Sequence, residues 1–356
     1  MSVIRLLDLG TVPAVRSQTC YHAAAEVLTE GGPDTIILVS PASPYVCVGF
    51  HQDVDREVDR EYCRSRGWPV LRREVGGGAV YLDAGQVFIQ WVFRPGSLPA
   101  SVEDRFRLFV DPIVEAYRAL GVAAEFRPVN DIHVAGKKIG GTGAAAIGRV
   151  EVVVGSLMFD FDKAAMARVL KVSSEKMRDK IIQNLEQYMT TLHEQLGFRP
   201  DRGTMVEAYL RSCAGALGRE IVPGSWTEAE EQRARILDKT FLTTEWLEPR
   251  RVPRRPGIKI HEDVQVVESV FKAPGGLIRL TATVLRGEIV DLSISGDFTL
   301  LPRAAVAELE TVLLGPNRNA ADIRQAVKAV YDRLRIQSPG VRPEHWEAAL
   351  AGLLFG

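Results

Sequence analysis

The sequence predicts an α+β protein in two domains, and three observations carry that prediction. Apolar stretches of strand length crowd the first part of the chain without the regular intervening helices that a parallel sheet requires. Helical patterns then follow one another from Ala164 to about Leu217. Beyond them, Glu248-Pro249-Arg250-Arg251-Val252-Pro253-Arg254-Arg255-Pro256 holds three prolines and four arginines, which rules out a packed helix or a central strand.

Tyr21 to Leu28 has a short helical pattern leading to Gly31-Gly32-Pro33, and Thr35-Ile36-Ile37-Leu38-Val39 reads as a buried strand. Tyr45 to Phe50 is a second strand. The mixed-charge stretch from Asp53 to Arg66 predicts an exposed helix, and Trp68-Pro69-Val70-Leu71 opens a strand that runs into a glycine cluster. Ala79 to Tyr81 and Gln86 to Phe93 continue the strands, Phe106 to Leu120 has helical spacing, and Glu151 to Phe161 reads as a long strand. The first domain, residues 1–245, is thus expected to hold a mixed, mainly antiparallel sheet with flanking helices. Residues 246–257 read as a solvated Pro/Arg-rich linker, with contact to a phosphate or an acidic partner as the alternative. Residues 258–356 form a small α+β domain: strands over Gly276 to Leu285 and Glu288 to Ile294 around Arg286-Gly287, then helices around Pro302 to Leu314 and Ala320 to Leu334.

Composition narrows the function classes. With 25% charged and 46% hydrophobic residues the chain is of ordinary globular type, and no segment reaches the ~18 unbroken apolar residues of a membrane helix. The start lacks a basic region followed by a sustained apolar stretch, which predicts a cytoplasmic protein. Four cysteines, Cys20, Cys47, Cys63 and Cys213, lack CxxC spacing and are expected as reduced thiols. A net charge of -1 with interleaved signs offers no field for a polyanion, so neither nucleic acid nor a membrane is an expected partner.

Two segments carry chemistry. In Arg72-Arg73-Glu74-Val75-Gly76-Gly77-Gly78-Ala79-Val80-Tyr81-Leu82-Asp83, three glycines bare the main chain, so that a nucleotide or acyl tail can lie on it and take hydrogen bonds from its N–H groups. The paired arginines before it supply a fork for a carboxylate or phosphate. A glycine-rich turn with surface arginines is the alternative. In Asn130-Asp131-Ile132-His133-Val134-Ala135-Gly136-Lys137-Lys138-Ile139-Gly140-Gly141-Thr142-Gly143, a carboxylate beside an amide suits Mg2+ on a triphosphate. Lys138, set between a turn and a flexible Gly-Gly stretch, can face the charge that builds when a carboxylate attacks an α-phosphorus. Here the alternative is a turn-capping Asp131 and a solvated hairpin lysine. The order GxxxxGK[ST] before a helix is absent, so this is not a Walker loop.

Taken in this order, the two segments resemble the lipoate-protein ligase family, whose pattern is RRxSGGGAVYHDxGN followed by NDxxxxGKKISGSA. The resemblance covers most of residues 1 to 240, and Ile294-Ser295-Gly296-Asp297-Phe298 is similar to the GDFF stretch of the accessory domain that many such ligases carry. It implies a biotin/lipoate ligase-like catalytic domain followed by that accessory domain. By the same resemblance, Arg73, Gly76, Gly77, Gly78 and Ala79 match the wall that holds the acyl chain and adenylate, and Asn130 and Asp131 match the nucleotide and magnesium side. Lys138 matches the lysine at the activated carboxyl group, and Gly155-Ser156-Leu157 is similar to a Gly-Thr-Leu strand along the pocket. Val75, Leu82, Gln86, Gly140 and Gly143 depart from the pattern, where it has serine, histidine, asparagine, serine and alanine.

The implied reaction activates lipoate or octanoate with ATP and Mg2+ to the acyl adenylate. The acyl group then passes to a lysine of a lipoyl-domain or glycine-cleavage H-like acceptor. An octanoyltransferase of the same superfamily, which works through a cysteine thioester without ATP, is the nearest rival, but Gly140 to Asp162 holds no cysteine. Cys47 is expected in a buried strand and Cys63 on an exposed helix. A biotin ligase would need a GRGRxGR loop, which is absent, and a non-catalytic acyl-binding protein would not need Lys138 with Asn130 and Asp131. His51 is expected to be structural, His133 to point either way, and no His, Cys and acid set has zinc-site spacing.

Overall fold

The structure, a computed structural model, describes residues 3–28, 31–172, 174–249, 259–261, 264–286, 288–314 and 320–354. It divides into two compact units. The first comprises Met1–Val48, Asp55–Val75 and Ala79–Leu247, and the second Gly49–Val54, Gly76–Gly78 and Glu248–Gly356.

The strands of the first unit are β1 (Ile4–Val12), β2 (Thr35–Pro41), β3 (Tyr45–Val48), β4 (Val70–Arg72), β5 (Val80–Leu82), β6 (Gln86–Phe93), β7 (Ala124–Arg127), β8 (Asp131–Val134), β9 (Lys137–Ile147), β10 (Val150–Met158) and β11 (Ile221–Pro223). Eight of them form one sheet in the order β11-β1-β2-β6-β10-β9-β8-β7, and the others a three-stranded sheet, β4-β3-β5. The large sheet is antiparallel except where β1 pairs with β2 and β11. This bears out the expected α+β class with a mainly antiparallel sheet.

β2 and β6 are buried along their whole length because each has neighbours on both sides, and helices cover both faces of the sheet, hence their nearly unbroken apolar character. The helix Arg16–Val27 buries Cys20, Tyr21 and Ala24 in one core with Phe88, Val92, Tyr45 and Leu71. The helix Val102–Ala119 starts at Ser101, whose hydroxyl accepts the Asp104 N–H, and buries Phe106, Phe109, Ile113 and Tyr117 at helical spacing. Phe109 meets Trp91 of β6 edge-on at 5.0 Å, and the Trp91 indole donates to the Tyr209 hydroxyl (2.8 Å) on the helix Arg202–Leu217.

Several local expectations change. Asp53 to Arg66 is two short helices, Val54–Glu57 and Arg60–Ser65, because Val58 between them bridges to Leu170 and Asp59 caps the second by accepting the Tyr62 N–H (2.9 Å). Cys63, expected to be exposed, is buried. β10 ends at Met158 rather than running to Phe161, since the N–H groups of Phe159 and Asp160 turn aside to the Gly85 carbonyl. Of the predicted linker, Trp246 and Leu247 lie in the short helix Thr244–Leu247, while residues 250–257 lie outside the described residues.

In the second unit, β12 (Lys259–His261), β13 (Val264–Ala273), β14 (Gly276–Leu285) and β15 (Glu288–Gly296) form an antiparallel sheet in sequence order. Helices Ala305–Leu313, Ala320–Leu334 and Pro343–Leu354 cover one face, burying Ile278, Leu280, Ile294, Phe298 and Trp346. Among the described residues, no helix is long and apolar enough to cross a membrane.

Candidate functional site

The predicted lysine segment is a tight hairpin. Ala135 and Gly136 both have positive φ (48° and 80°), as a two-residue type I′ turn between β8 and β9 requires. The turn pairs Val134 with Lys137 and His133 with Lys138, after which the register shifts, so that Ile132 faces Gly140 and Asp131 faces Gly141. Ile139 is the extra residue of a bulge. This shift brings the Lys138 ammonium to 2.7 Å from Asp131 Oδ1, with the two side chains 40% and 30% exposed.

Gly140-Gly141, expected as a flexible stretch, is the interior of a strand. A side chain at Gly141 would meet Asp131 Oδ1 and Lys138 Nζ, each at 3.2 Å, so the bare position leaves room for the ion pair. Asn130 fixes the approach to Asp131: its amide donates to the Thr142 carbonyl (2.5 Å), its own carbonyl accepts the Thr142 N–H (2.9 Å), and the Thr142 hydroxyl donates to Val154 of β10 (2.8 Å). The Lys138 carbonyl accepts the Thr190 N–H (2.9 Å). His133, which the sequence left open, turns toward Asp131, with Nε2 3.9 Å from Oδ2.

Gly155 and Ser156 lie on β10, Gly155 directly opposite Thr142. A Cβ at Gly155 would sit 2.7 Å from the Phe109 ring and 3.1 Å from the Gly141 carbonyl, so the glycine lets helix and sheet close together. Asn130, Asp131, Lys138, Gly155 and Ser156 therefore share adjoining strands, β8 to β10 and the residue before β8. Arg73 follows β4. Its N–H donates to the Val48 carbonyl (3.0 Å) and its guanidinium to the Cys47 carbonyl (3.1 Å), while Ala79 is buried just before β5. Gly76, Gly77 and Gly78 belong to the second unit. There a side chain at Gly76 would meet the Phe298 carbonyl at 2.5 Å, and one at Gly49 would run into the Gly77 carbonyl. Close approach of chain to chain thus demands glycine at these two positions.

All four thiols are buried. Burial pushes Cys20 and Cys213 up to about 12 and Cys63 to about 11, and it raises Cys47 despite the nearby Arg73. Asp131 is a half-buried carboxylate on a strand end, and a Mg2+ ion on a nucleotide takes one or two protein carboxylates besides phosphate oxygens, so this donor fits a nucleotide-borne Mg2+. The Asp131–Lys138 pairing and the role of Gly141 escaped the sequence reading. The Ala135-Gly136 turn ahead of two lysines is the signal that could have found them.

A family model described as the lipoyl protein ligase A/B catalytic domain matches residues 19–214. An octanoyltransferase LipM from Kyrpidia tusciae is 28% identical over 271 residues, covering 69% of this chain and 98% of that protein. A lipoate–protein ligase from Streptococcus pyogenes is 26% identical over 309 residues, covering 83% and 84% respectively. Among solved structures, a bipartite lipoate protein ligase from Thermoplasma acidophilum, described with its E2 lipoyl domain, superposes with a TM-score of 0.64 at 26% identity, covering 72% of this chain and all of that one.

Proposed function

The chain belongs to the lipoyl protein ligase A/B catalytic-domain family, and from that premise we propose that it is an ATP-dependent lipoate-protein ligase. It would form lipoyl- or octanoyl-AMP and pass the acyl group to a lysine of a lipoyl-domain or glycine-cleavage H-like acceptor. One observation carries the choice of ligase over thioester-forming transferase: every cysteine is buried with its thiol pKa raised, while the Lys138 ammonium is partly open beside Asp131. Likeness to an octanoyltransferase keeps the transferase as the second reading.

In the first half reaction, a carboxylate oxygen of the fatty acid attacks the α-phosphorus and pyrophosphate leaves. Lys138 shifts from Asp131 toward the oxygens that gain charge, a placement worth roughly 10²–10³ in rate. Asn130 and Asp131 take the nucleotide side, and Asp131 would hold Mg2+, which supplies positive charge to the phosphates. Arg73, Ala79, Gly155 and Ser156 bind the acyl chain and adenylate and keep water from the mixed anhydride. In the second half reaction the acceptor amine attacks the acyl carbon, a proton leaves the nitrogen, and AMP departs, with Lys138 again facing the carbonyl oxygen.

Lipoate-dependent ATP–pyrophosphate exchange tests this. The wild type is expected to exchange, and Lys138→Ala to lose exchange while its circular dichroism and melting stay normal. No exchange by the wild type, together with octanoyl transfer from a carrier protein, would overturn the ligase in favour of the transferase.

A further inference from the structure

We infer that His22 is a positioning residue that holds the Arg73–Glu74 segment in place for the acyl adenylate; the inference rests on the reading of Arg73 as an adenylate contact. His22 lies on the helix Arg16–Val27, is 6% exposed, and has a carboxylate at each ring nitrogen: Glu26 Oε1 3.1 Å from Nδ1 and Glu74 Oε2 3.5 Å from Nε2. The faces and edges of the imidazole are walled by Phe241 (5.5 Å) and Trp246 (6.0 Å), which stack on each other at 4.2 Å. Glu26 is braced in turn by the Arg233 guanidinium.

The same helix also grips Glu74 through its main chain, because the Glu74 N–H donates to the hydroxyl of Tyr21, the residue beside His22 (3.2 Å). On the other side of Arg73, the Arg72 guanidinium is buried and donates to the Leu247 carbonyl through Nε (2.9 Å) and Nη2 (2.7 Å), while the Trp246 indole donates to the Arg72 carbonyl (3.0 Å). Arg72 and Glu74 are thus both fastened to the protein, on either side of the partly exposed Arg73, whose own guanidinium donates to the Cys47 carbonyl. A chain pinned on both sides of one residue leaves that residue few orientations, which is how a supporting shell pre-organises a binding group. His22, like Tyr21 and Trp246, is a part of this clamp that lies outside the motif.

The test exploits amide mimicry: the nitrogen of a glutamine falls near the Nε2 of a histidine, and that of an asparagine near Nδ1. Affinity for the non-hydrolysable octanoyl-sulfamate analogue of octanoyl adenylate and amide hydrogen exchange over residues 72–75 are measured for the whole chain. His22→Phe, which keeps the ring, and His22→Asn, which reaches only Glu26, are expected to bind roughly tenfold more weakly and to exchange faster. His22→Gln, which still reaches Glu74, should stay near wild type in both. Glu74→Gln, which retains size without charge, should follow His22→Phe and serves if the latter does not fold. A simple packing role predicts the reverse order, with Phe tolerated and Gln not. Unchanged exchange in the Phe and Asn variants overturns the inference, as does faster exchange with wild-type affinity. Arg73→Ala separates the two failures: if it binds normally, or if the wild type does not bind the analogue, the adenylate reading of Arg73 falls, and the exchange data still decide whether His22 holds the segment.

Discussion

Replacing Gly141 with alanine moves the Lys138 ammonium while leaving both the lysine and the fold in place. Gly141 has no positive φ, so the backbone accepts a side chain. The new methyl would lie 3.2 Å from Lys138 Nζ, 3.3 Å from its Cε and 3.2 Å from Asp131 Oδ1. Unbonded heavy atoms settle at about 3.5–4.0 Å, so the pair must open by roughly 0.3–0.8 Å. What gives way is the far end of a flexible side chain, and the fold pays little. With 40% and 30% exposure, the ion pair is screened by solvent and contributes only about 0.2–1 kcal/mol even if lost outright. In a chain of this size that is a melting shift of about 2–4 °C at most. The chemistry is far more sensitive, because misplacing a charge-stabilising group by about 1 Å costs on the order of 100-fold. Gly141→Ala is therefore expected to lower the turnover number for lipoate-dependent pyrophosphate exchange by roughly 10- to 100-fold, with near-normal melting by calorimetry. Wild-type turnover would refute the role given to the Lys138 position. A collapse in melting temperature would refute the claim that Gly141 serves the ion pair rather than the packing.

Other outcomes follow from the same geometry. Gly155→Ala puts a methyl 2.7 Å from a fully buried Phe109 ring and should cost about 1–3 kcal/mol in urea unfolding, relieved by adding Phe109→Leu; strictly additive effects would contradict it. Hydrogen bonding from Arg16 holds the Glu231 carboxyl at about 2 against the usual 4.5. A carboxyl depressed on folding stabilises fully above its unfolded pKa and loses that contribution as pH falls through the folded one, here from about 4.5 down to about 2. Urea titrations across that window should show a shallower loss of stability in Arg16→Ala than in wild type, and parallel curves would remove the linkage. The native protein should leave an aromatic disulfide reagent unreduced until denaturant is added, whereas one thiol reacting at once, or an octanoyl thioester found by mass spectrometry, would reopen the transferase.

What the residues disclose depends on what stabilises each element. Thr35–Pro41 and Gln86–Phe93 were legible because strands with neighbours on both sides must be apolar throughout. The strand Lys137–Ile147 was not. Its KKIGGTGAAAI carries two lysines, three glycines and three alanines, with little of the β-branched or aromatic bulk that marks a strand, and it is extended because β8 and β10 pair with it. For the same reason, Asp131 and Lys138 could be named as chemical types but not as a pair, since their meeting depends on the bulge at Ile139. Gly76 is a parallel case: its bareness suggested room for a ligand, yet the Phe298 carbonyl and Thr299 occupy the place of its side chain.

The two chemistries considered for this chain place opposite demands on it, and overall similarity does not weigh between them. Identity to an octanoyltransferase is 28% and to a lipoate–protein ligase 26%. A thioester route needs a thiolate that the acyl donor can reach. A thiol pushed up to about 12, as at Cys20 and Cys213, stays protonated at neutral pH, and burial keeps an incoming acyl carbonyl away as well. An adenylate route needs only a fixed cation near the phosphate, backed by an acid that can share it until substrate arrives. Lys138 on Asp131 is such an arrangement: the carboxylate steadies the ammonium while remaining half open to solvent, so the exchange of partners asks for little desolvation. On that asymmetry the ligase is the reading that this chain's own residues support.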